Sequence, residues 1–269
     1  MKRARGTRLG QNFLMHKATA SRIVEAAGIT KNDTVLEVGP GKGMLTRELL
    51  ARAKKVIALE VDTTLIPLLN ETFAKEVAEK RLVLIEGDVR SFKPAQIRGK
   101  YSLVANIPYY ITGEIIRHFL EATHKPSSMT LLVQKEVAER IARSKKESVL
   151  SLAVKAYGIP SYRFTVPKGA FVPSPSVDSA VLSITNINKN AFENAKEEVW
   201  FFSVIHAGFA HKRKLLLNNI ATLVDKKTVE KAFVHLNLSL SVRAEDVASP
   251  LWRKLSKLIH TTKGFIHTH

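Results

Sequence analysis

The run Thr34-Val35-Leu36-Glu37-Val38-Gly39-Pro40-Gly41-Lys42-Gly43-Met44-Leu45 decides the fold. Residues 34–38 are strand-forming side chains stopped by a glycine, and Leu45, Leu49 and Leu50 share one helical face after it. A buried strand, a glycine turn and a helix in that order open a parallel sheet, because parallel strands need crossover helices. The alternation continues outward. Residues 55–60, 82–86, 102–106 and 129–133 read as further strands. Ile23, Val24 and Ala27 form a helical face before the first of them. Leu65, Leu68, Leu69 and Phe73 form another between strands, and Ile115, Ile116, Phe119 and Leu120 a third. The expected fold is α/β: a Rossmann-like sheet with helices on both faces.

Later stretches add detail. Residues 151–157, 161–166 and 177–184 read as strands, the late ones suiting an antiparallel hairpin at one sheet edge. An Asn-rich linker at 186–190 precedes helical runs at 212–224, 228–236 and 251–259, with Trp200, Phe201, Val204, Ile205 and Phe209 ahead of them. The expected division is 1–186, an α/β catalytic domain, and 187–269, a small all-α domain.

The 269 residues hold 42 Lys plus Arg against 24 Asp plus Glu, a net charge of +18, with 45% hydrophobic residues. That composition supports a sizeable core and points to a polyanionic partner, since each neutralised phosphate releases counterions. Of this charge, +12 falls in residues 1–186 and +6 in 187–269, so both parts are expected to meet nucleic acid. There is no cysteine, which excludes disulfides, thiolate metal sites and thiol nucleophiles. The nine histidines show no metal-ligand spacing, and no metal is expected. No apolar run is long enough to span a membrane, and the basic start (Lys2, Arg3, Arg5, Arg8) lacks the apolar core of a signal peptide. A cytoplasmic protein is expected.

The glycines at 39, 41 and 43 are not a dinucleotide fingerprint, because Met44 stands where a third spaced glycine is needed, and no P-loop Gly-Lys-Ser/Thr follows. Glu60 ends the second strand, 21 residues after Gly39, a position suited to accept both hydroxyls of a ribose. Asp88, after the third strand, can receive an adenine amine. Glu37, two residues before Gly39, suits a cation better than a pyrophosphate. Acids at successive strand ends, a ribose and a positive charge together point to S-adenosylmethionine.

Asn106-Ile107-Pro108-Tyr109 closes the fourth strand beside that site. An adenine amine is a poor nucleophile because its lone pair is delocalised into the ring. The Asn106 side-chain oxygen and the Ile107 carbonyl are candidate acceptors for its hydrogens, Pro108 shapes the turn, and Tyr109 can stack on an extruded base. Phe171, in the proline-stiffened loop Phe171-Val172-Pro173-Ser174-Pro175, is expected as the opposite stacking face.

With these motifs in order, the chain resembles the rRNA adenine dimethyltransferase family, the KsgA/Erm group. Gly10-Gln11-Asn12-Phe13-Leu14, the glycine motif, Glu60-Val61-Asp62, Gly87-Asp88, the Asn106 motif, Gln134 to Ile141 and Phe171 to Val177 carry the likeness. The resemblance implies that Asn12, Leu14, Gly39, Glu60, Asp88 and Asn106 contact S-adenosylmethionine, with Glu37 and Gly41 of the glycine motif expected at the same site, and that two methyls go to the exocyclic amine of each target. Gly208-Phe209-Ala210-His211-Lys212-Arg213-Lys214-Leu215 resembles the KsgA-like C-terminal motif, which implies two adjacent adenosines near the 3′ end of small-subunit rRNA, met by a monomer on a pre-ribosomal particle. Lys212, Arg213 and Lys214 are then expected to contact RNA, as are the N-terminal tail and the group Arg140, Arg143, Lys145 and Lys146. Ile107, Tyr110 and His211 depart from the residues more usual in bacterial members. Three alternatives stand beside this reading: an Erm-like large-subunit rRNA methyltransferase conferring resistance, an assembly factor acting mainly by binding, and a small-molecule methyltransferase.

Overall fold

The strands of the protein, seen in a computed structural model that describes residues 12–188 and 190–264, are nine. They are β1 Phe13–Leu14, β2 Thr34–Val38, β3 Lys55–Glu60, β4 Leu82–Glu86, β5 Ser102–Asn106, β6 Ser128–Gln134, β7 Ile159–Val166, β8 Phe171–Val172 and β9 Ser179–Thr185. Seven form one sheet in the order β4-β3-β2-β5-β6-β9-β7. The first five of that order pair in parallel, and β9 pairs antiparallel with both β6 and β7. The remaining two, β1 and β8, pair antiparallel on their own. Chain order reverses between β2 and β5, and the crevice beyond the carboxyl ends of such strands is where open α/β sheets bind ligands.

Helices α1 Lys17–Ala26, α2 Met44–Arg52, α3 Ile66–Thr72, α4 Ala74–Ala78, α5 Thr112–Glu121 and α6 Lys135–Ala142 belong with this sheet. Ile23 and Val24 of α1, Leu45 and Leu49 of α2, and Val35 and Val56 of the strands are buried in one cluster, which is what the helical spacing of the leucines requires.

The chain divides into two units, 1–142 with 158–189 and 143–157 with 190–269. Residues 143–157, expected in the first domain, therefore pack with the second. Residues 151–157 are also no strand. They lie in α7 Val149–Tyr157. Ser148 and Ser151 explain the helix. The Ser151 N–H donates to Ser148 Oγ at 3.1 Å and the Ser148 N–H donates to Ser151 Oγ at 2.7 Å, a reciprocal cap. Short apolar runs read equally as strand or buried helix, and the cap decides this one.

The second unit adds α8 Ala195–Phe209, α9 Leu216–Ile220, α10 Lys226–His235 and α11 Ser249–Gly264. The helix expected over 212–224 shrinks to α9, with turns around it. Leu152, Phe201, Phe233, Trp252 and Ile259 share this unit's core, and Trp252 Nε1 donates to the Val247 carbonyl at 3.0 Å. No helix among the described residues is long and apolar enough to cross a membrane, and no group of three or more acids or histidines is placed to hold a metal.

Candidate active site

At the carboxyl ends of β2, β3 and β5, and just past β4, lies a cavity of about 860 Å³, counted out to its open mouth. Each strand end contributes. Val38 and Gly39 come from β2, Leu59 and Glu60 from β3, Gly87 and Asp88 follow β4, and Asn106 to Ile111 follow β5. Asn12 and Phe13 line it from the N-terminal side. The alternation read from the sequence thus brings Asn12, Gly39, Gly41, Glu60, Asp88, Asn106, Ile107, Pro108 and Tyr109 to one place.

The glycine turn is shaped by backbone geometry. Gly41 has φ +57° and a Cβ there would sit 2.9 Å from the Phe13 ring, so only glycine leaves this wall intact. Its N–H donates to Glu60 Oε2 at 3.0 Å, and the Asp62 N–H donates to Glu60 Oε1 at 2.9 Å. Two backbone donors hold the carboxylate, and each oxygen keeps a lone pair for a further donor.

Glu37 does not line the cavity. It points into the protein, 1% exposed, with neither carboxylate oxygen hydrogen-bonded. Burial pushes its pKa up to about 8, helped by the Glu60 carboxylate and opposed by the Thr46 hydroxyl. Asp88 reaches the cavity, but its carboxylate is already engaged. Arg90 donates from Nε to both oxygens at 3.0 Å, and its backbone N–H donates to Oδ1 at 2.9 Å. This contact holds Asp88 below the usual carboxylate range.

Among the described residues, one hydrogen bond orients the Asn106 side chain. Its Nδ2 donates to the Asn12 carbonyl at 2.9 Å, which leaves Oδ1 as an acceptor. No described group donates to the Ile107 carbonyl. The two candidate acceptors are therefore both unengaged at the cavity wall. Tyr109 is half-buried, and its hydroxyl meets Ser179 Oγ at 2.7 Å, which pins the ring. Burial raises its pKa more than the Ser179 bond lowers it, so the phenol stays neutral.

Besides Glu37, two more expected residues fall elsewhere. Phe171 is 2% exposed and sits in the core cluster beside Leu14, its partner in the β1–β8 pair. Strand alternation turns the next residue, Val172, outward instead. Phe171 is thus a packed side chain and not a wall of the cavity. The same pairing makes Leu14 core rather than lining.

Lys212, Arg213 and Lys214 lie exposed in a turn of the second unit. The buried Asn219 anchors that turn, donating from Nδ2 to the carbonyls of Gly208 at 2.7 Å and His211 at 3.2 Å. The other basic group is partly neutralised, since Arg140 pairs with Glu136 at 3.0 Å and Lys146 with Glu245 at 2.5 Å. The N-terminal basic residues and Gly10 and Gln11 lie outside the described residues.

Sequence reasoning missed Arg90, Val61, Val89 and Tyr110 as lining residues. The spacing Asp88-Val89-Arg90 carries a usable signal, because an Asp commonly accepts from the N–H two residues on.

Comparison with known proteins follows the same outline. The sequence matches the family described as ribosomal RNA adenine dimethylase over residues 2–261. It is 42% identical over 253 residues to ribosomal RNA small subunit methyltransferase A of Dehalococcoides mccartyi, covering 92% of this chain and 86% of that one. It is 36% identical over 261 residues to the protein of the same name from Lactococcus lactis, covering 93% and 88%. Among solved structures it is similar to a dimethyladenosine transferase from Plasmodium falciparum, with TM-score 0.77, 26% identity and coverage of 93% and 98%. It is also similar to the 23S rRNA methyltransferase ErmE, with TM-score 0.76, 26% identity and coverage of 93% and 100%.

Proposed function

The chain belongs to the ribosomal RNA adenine dimethylase family, and from that premise we propose that it dimethylates the exocyclic N6 amines of two adjacent adenosines near the 3′ end of small-subunit rRNA. The small-subunit choice is supported by the relatives named for that subunit at 42% and 36% identity, against 26% for the large-subunit enzyme. The methyl donor is S-adenosylmethionine, and the residues present fit it. Glu60 keeps lone pairs suited to ribose hydroxyls, Asp88 would accept from an adenine amine only by giving up part of its contact with Arg90, and Gly39 and Gly41 keep side chains out of the wall. When bound, the cofactor supplies a methyl group on a sulfonium.

The chain's own residues then do three things. Asn106 Oδ1 and the Ile107 carbonyl accept the two amine hydrogens, which localises the nitrogen lone pair and aims it. Tyr109, pinned by Ser179, presents a fixed ring for the base to stack on. Its neutral hydroxyl is no base, and none is needed, because the alkylated amine is acidic and sheds its proton to water at the open mouth. The observation that carries the reading is the pair of unengaged acceptors at the end of β5.

The protein acts in this reading as a cytoplasmic monomer on a pre-ribosomal particle, with the turn of Lys212, Arg213 and Lys214 meeting phosphates. The test is transfer of labelled methyl groups to undermethylated small and large subunits in parallel, with Asn106→Ala as control. Dimethyladenosine in small-subunit rRNA, lost in the variant, is the expected result. Label in the large subunit alone would move the protein to the other branch. Binding without label would leave an assembly role.

A further inference from the structure

The Tyr110 side chain has no structural work to do, and its backbone lies in a hydrogen-bonded turn. It is 69% exposed and is the one exposed Phe, Tyr or Trp among the described residues. It lines the same cavity as Asn106 and Tyr109, at the mouth. Its backbone belongs to the short turn Tyr109–Ile111, where the Ile111 N–H donates to the Pro108 carbonyl at 3.2 Å and α5 begins at Thr112. Tyr109 uses its hydroxyl on Ser179, whereas Tyr110 hydrogen-bonds to no described residue and stacks on no described ring. Its neighbour is the Arg90 guanidinium, whose charge is paired with Asp88. Val61, also exposed, completes an apolar rim.

A base that leaves its stack to enter a cavity strips one face from the base beside it. The bared neighbour is then at the mouth, one nucleotide from the reacting adenosine. An exposed ring on a rigid turn replaces the lost stacking partner, and it does so for any base, because every base has a π face. We propose that Tyr110 is the stacking platform for the nucleotide that flanks the adenosine in the cavity. The proposal rests on the RNA substrate proposed above and goes beyond it by naming a second base subsite. Tyr110 positions RNA and touches neither the methyl nor the amine.

The test uses the full chain as wild type and as Tyr110→Ala, Tyr110→Phe and Tyr110→Trp, with unmethylated small ribosomal subunits. The KM for the particle and the Kd for S-adenosylmethionine are measured separately. The alanine variant is expected to raise the particle KM about 5- to 50-fold, with cofactor Kd changed less than about twofold and the Phe and Trp variants near wild type. A particle KM unchanged in the alanine variant overturns the proposal. So does a Phe variant as impaired as Ala, because the hydroxyl rather than the ring would then act. A matching rise in cofactor Kd also overturns it, placing the residue on the cofactor side. As an independent readout, 2-aminopurine is placed in turn on either side of the target adenosine. At one of the two positions its fluorescence is expected to be quenched by the wild type, Phe and Trp proteins and not by Ala, and equal quenching by Ala overturns the assignment. Wild-type protein that binds cofactor but never engages small subunits overturns the substrate reading, and this subsite with it.

Discussion

Replacing Glu37 by Gln tests the electrostatic account of the glycine turn. The carboxyl is buried with neither oxygen hydrogen-bonded, and its pKa stands near 8 against an ordinary value of 4.5. A group whose folded pKa lies above its unfolded one binds more protons in the folded state between the two values. Stability is therefore fully present below pH 4.5 and is lost as pH rises through about 8. At ~1.36 kcal/mol per unit, the loss is about 3 kcal/mol by pH 7 and about 5 kcal/mol by pH 9. Glutamine keeps the shape and has no proton to lose, so its stability relative to wild type should climb with pH. Between pH 5 and pH 8.5 the gap should move by about 4 kcal/mol, on the order of 10 °C in melting temperature. Thermal unfolding followed by circular dichroism across that range measures it. The absence of cysteine removes thiol oxidation as a confounder at the alkaline end. A gap that stays constant with pH would refute the reasoning, because Glu37 would then be ionised throughout and stabilised by something other than what surrounds it here.

Further outcomes follow from other contacts. Asn106→Ala should lower the methylation rate by about 10²- to 10³-fold through loss of an acceptor, measured in single turnover, and a loss under tenfold would remove Asn106 from the chemistry. Tyr109→Phe keeps the ring and loses the bond to Ser179. Its rate should fall less than about tenfold with an unchanged pH profile below pH 9, and a larger or pH-dependent loss would mean the hydroxyl moves a proton. Gly208→Ala should destabilise the second unit by about 1–3 kcal/mol. The added Cβ would clash with the Trp252 ring and come 2.9 Å from Leu216. Chemical denaturation that leaves this variant at wild-type stability would show that the ring can yield. Each of Lys212→Ala, Arg213→Ala and Lys214→Ala should reduce the slope of log affinity against log salt for rRNA by about one where the side chain meets a phosphate, and three unchanged slopes would take the turn out of the interface.

The sheet was legible because its signals are local. Residues 34–52 carry strand, glycines and helix within 19 residues, and the leucine spacing names the buried face. Cavity residues at strand ends were legible for the same reason, since a strand's carboxyl end can be read without knowing its neighbours. What failed at 171–172 and at 149–157 needed long-range facts. A two-residue strand such as Phe171–Val172 has no periodicity, so which side chain turns inward depends on its pairing with Phe13–Leu14, over 150 residues away. Arg90 was passed over because its role is defined by Asp88 turning back on it, a local loop conformation rather than a pattern. The run at 149–157 is apolar enough for either element, and its helix is set by two serines and by partners that lie between Phe192 and Ile259.

That last dependence has a consequence for synthesis. As the chain leaves a ribosome, α7 emerges long before Trp252 and Ile259, which share its core. At roughly 5–20 residues per second, its apolar face waits about 5–20 s for them. The sheet unit meanwhile has all its strands once residue 185 is out. The nascent protein therefore passes through a stage with a finished sheet and an unpaired helix looped out of it. A chain stopped just after residue 189 would keep that helix bare for good, so a soluble stand-alone sheet unit calls for residues 143–157 to be replaced by a polar linker.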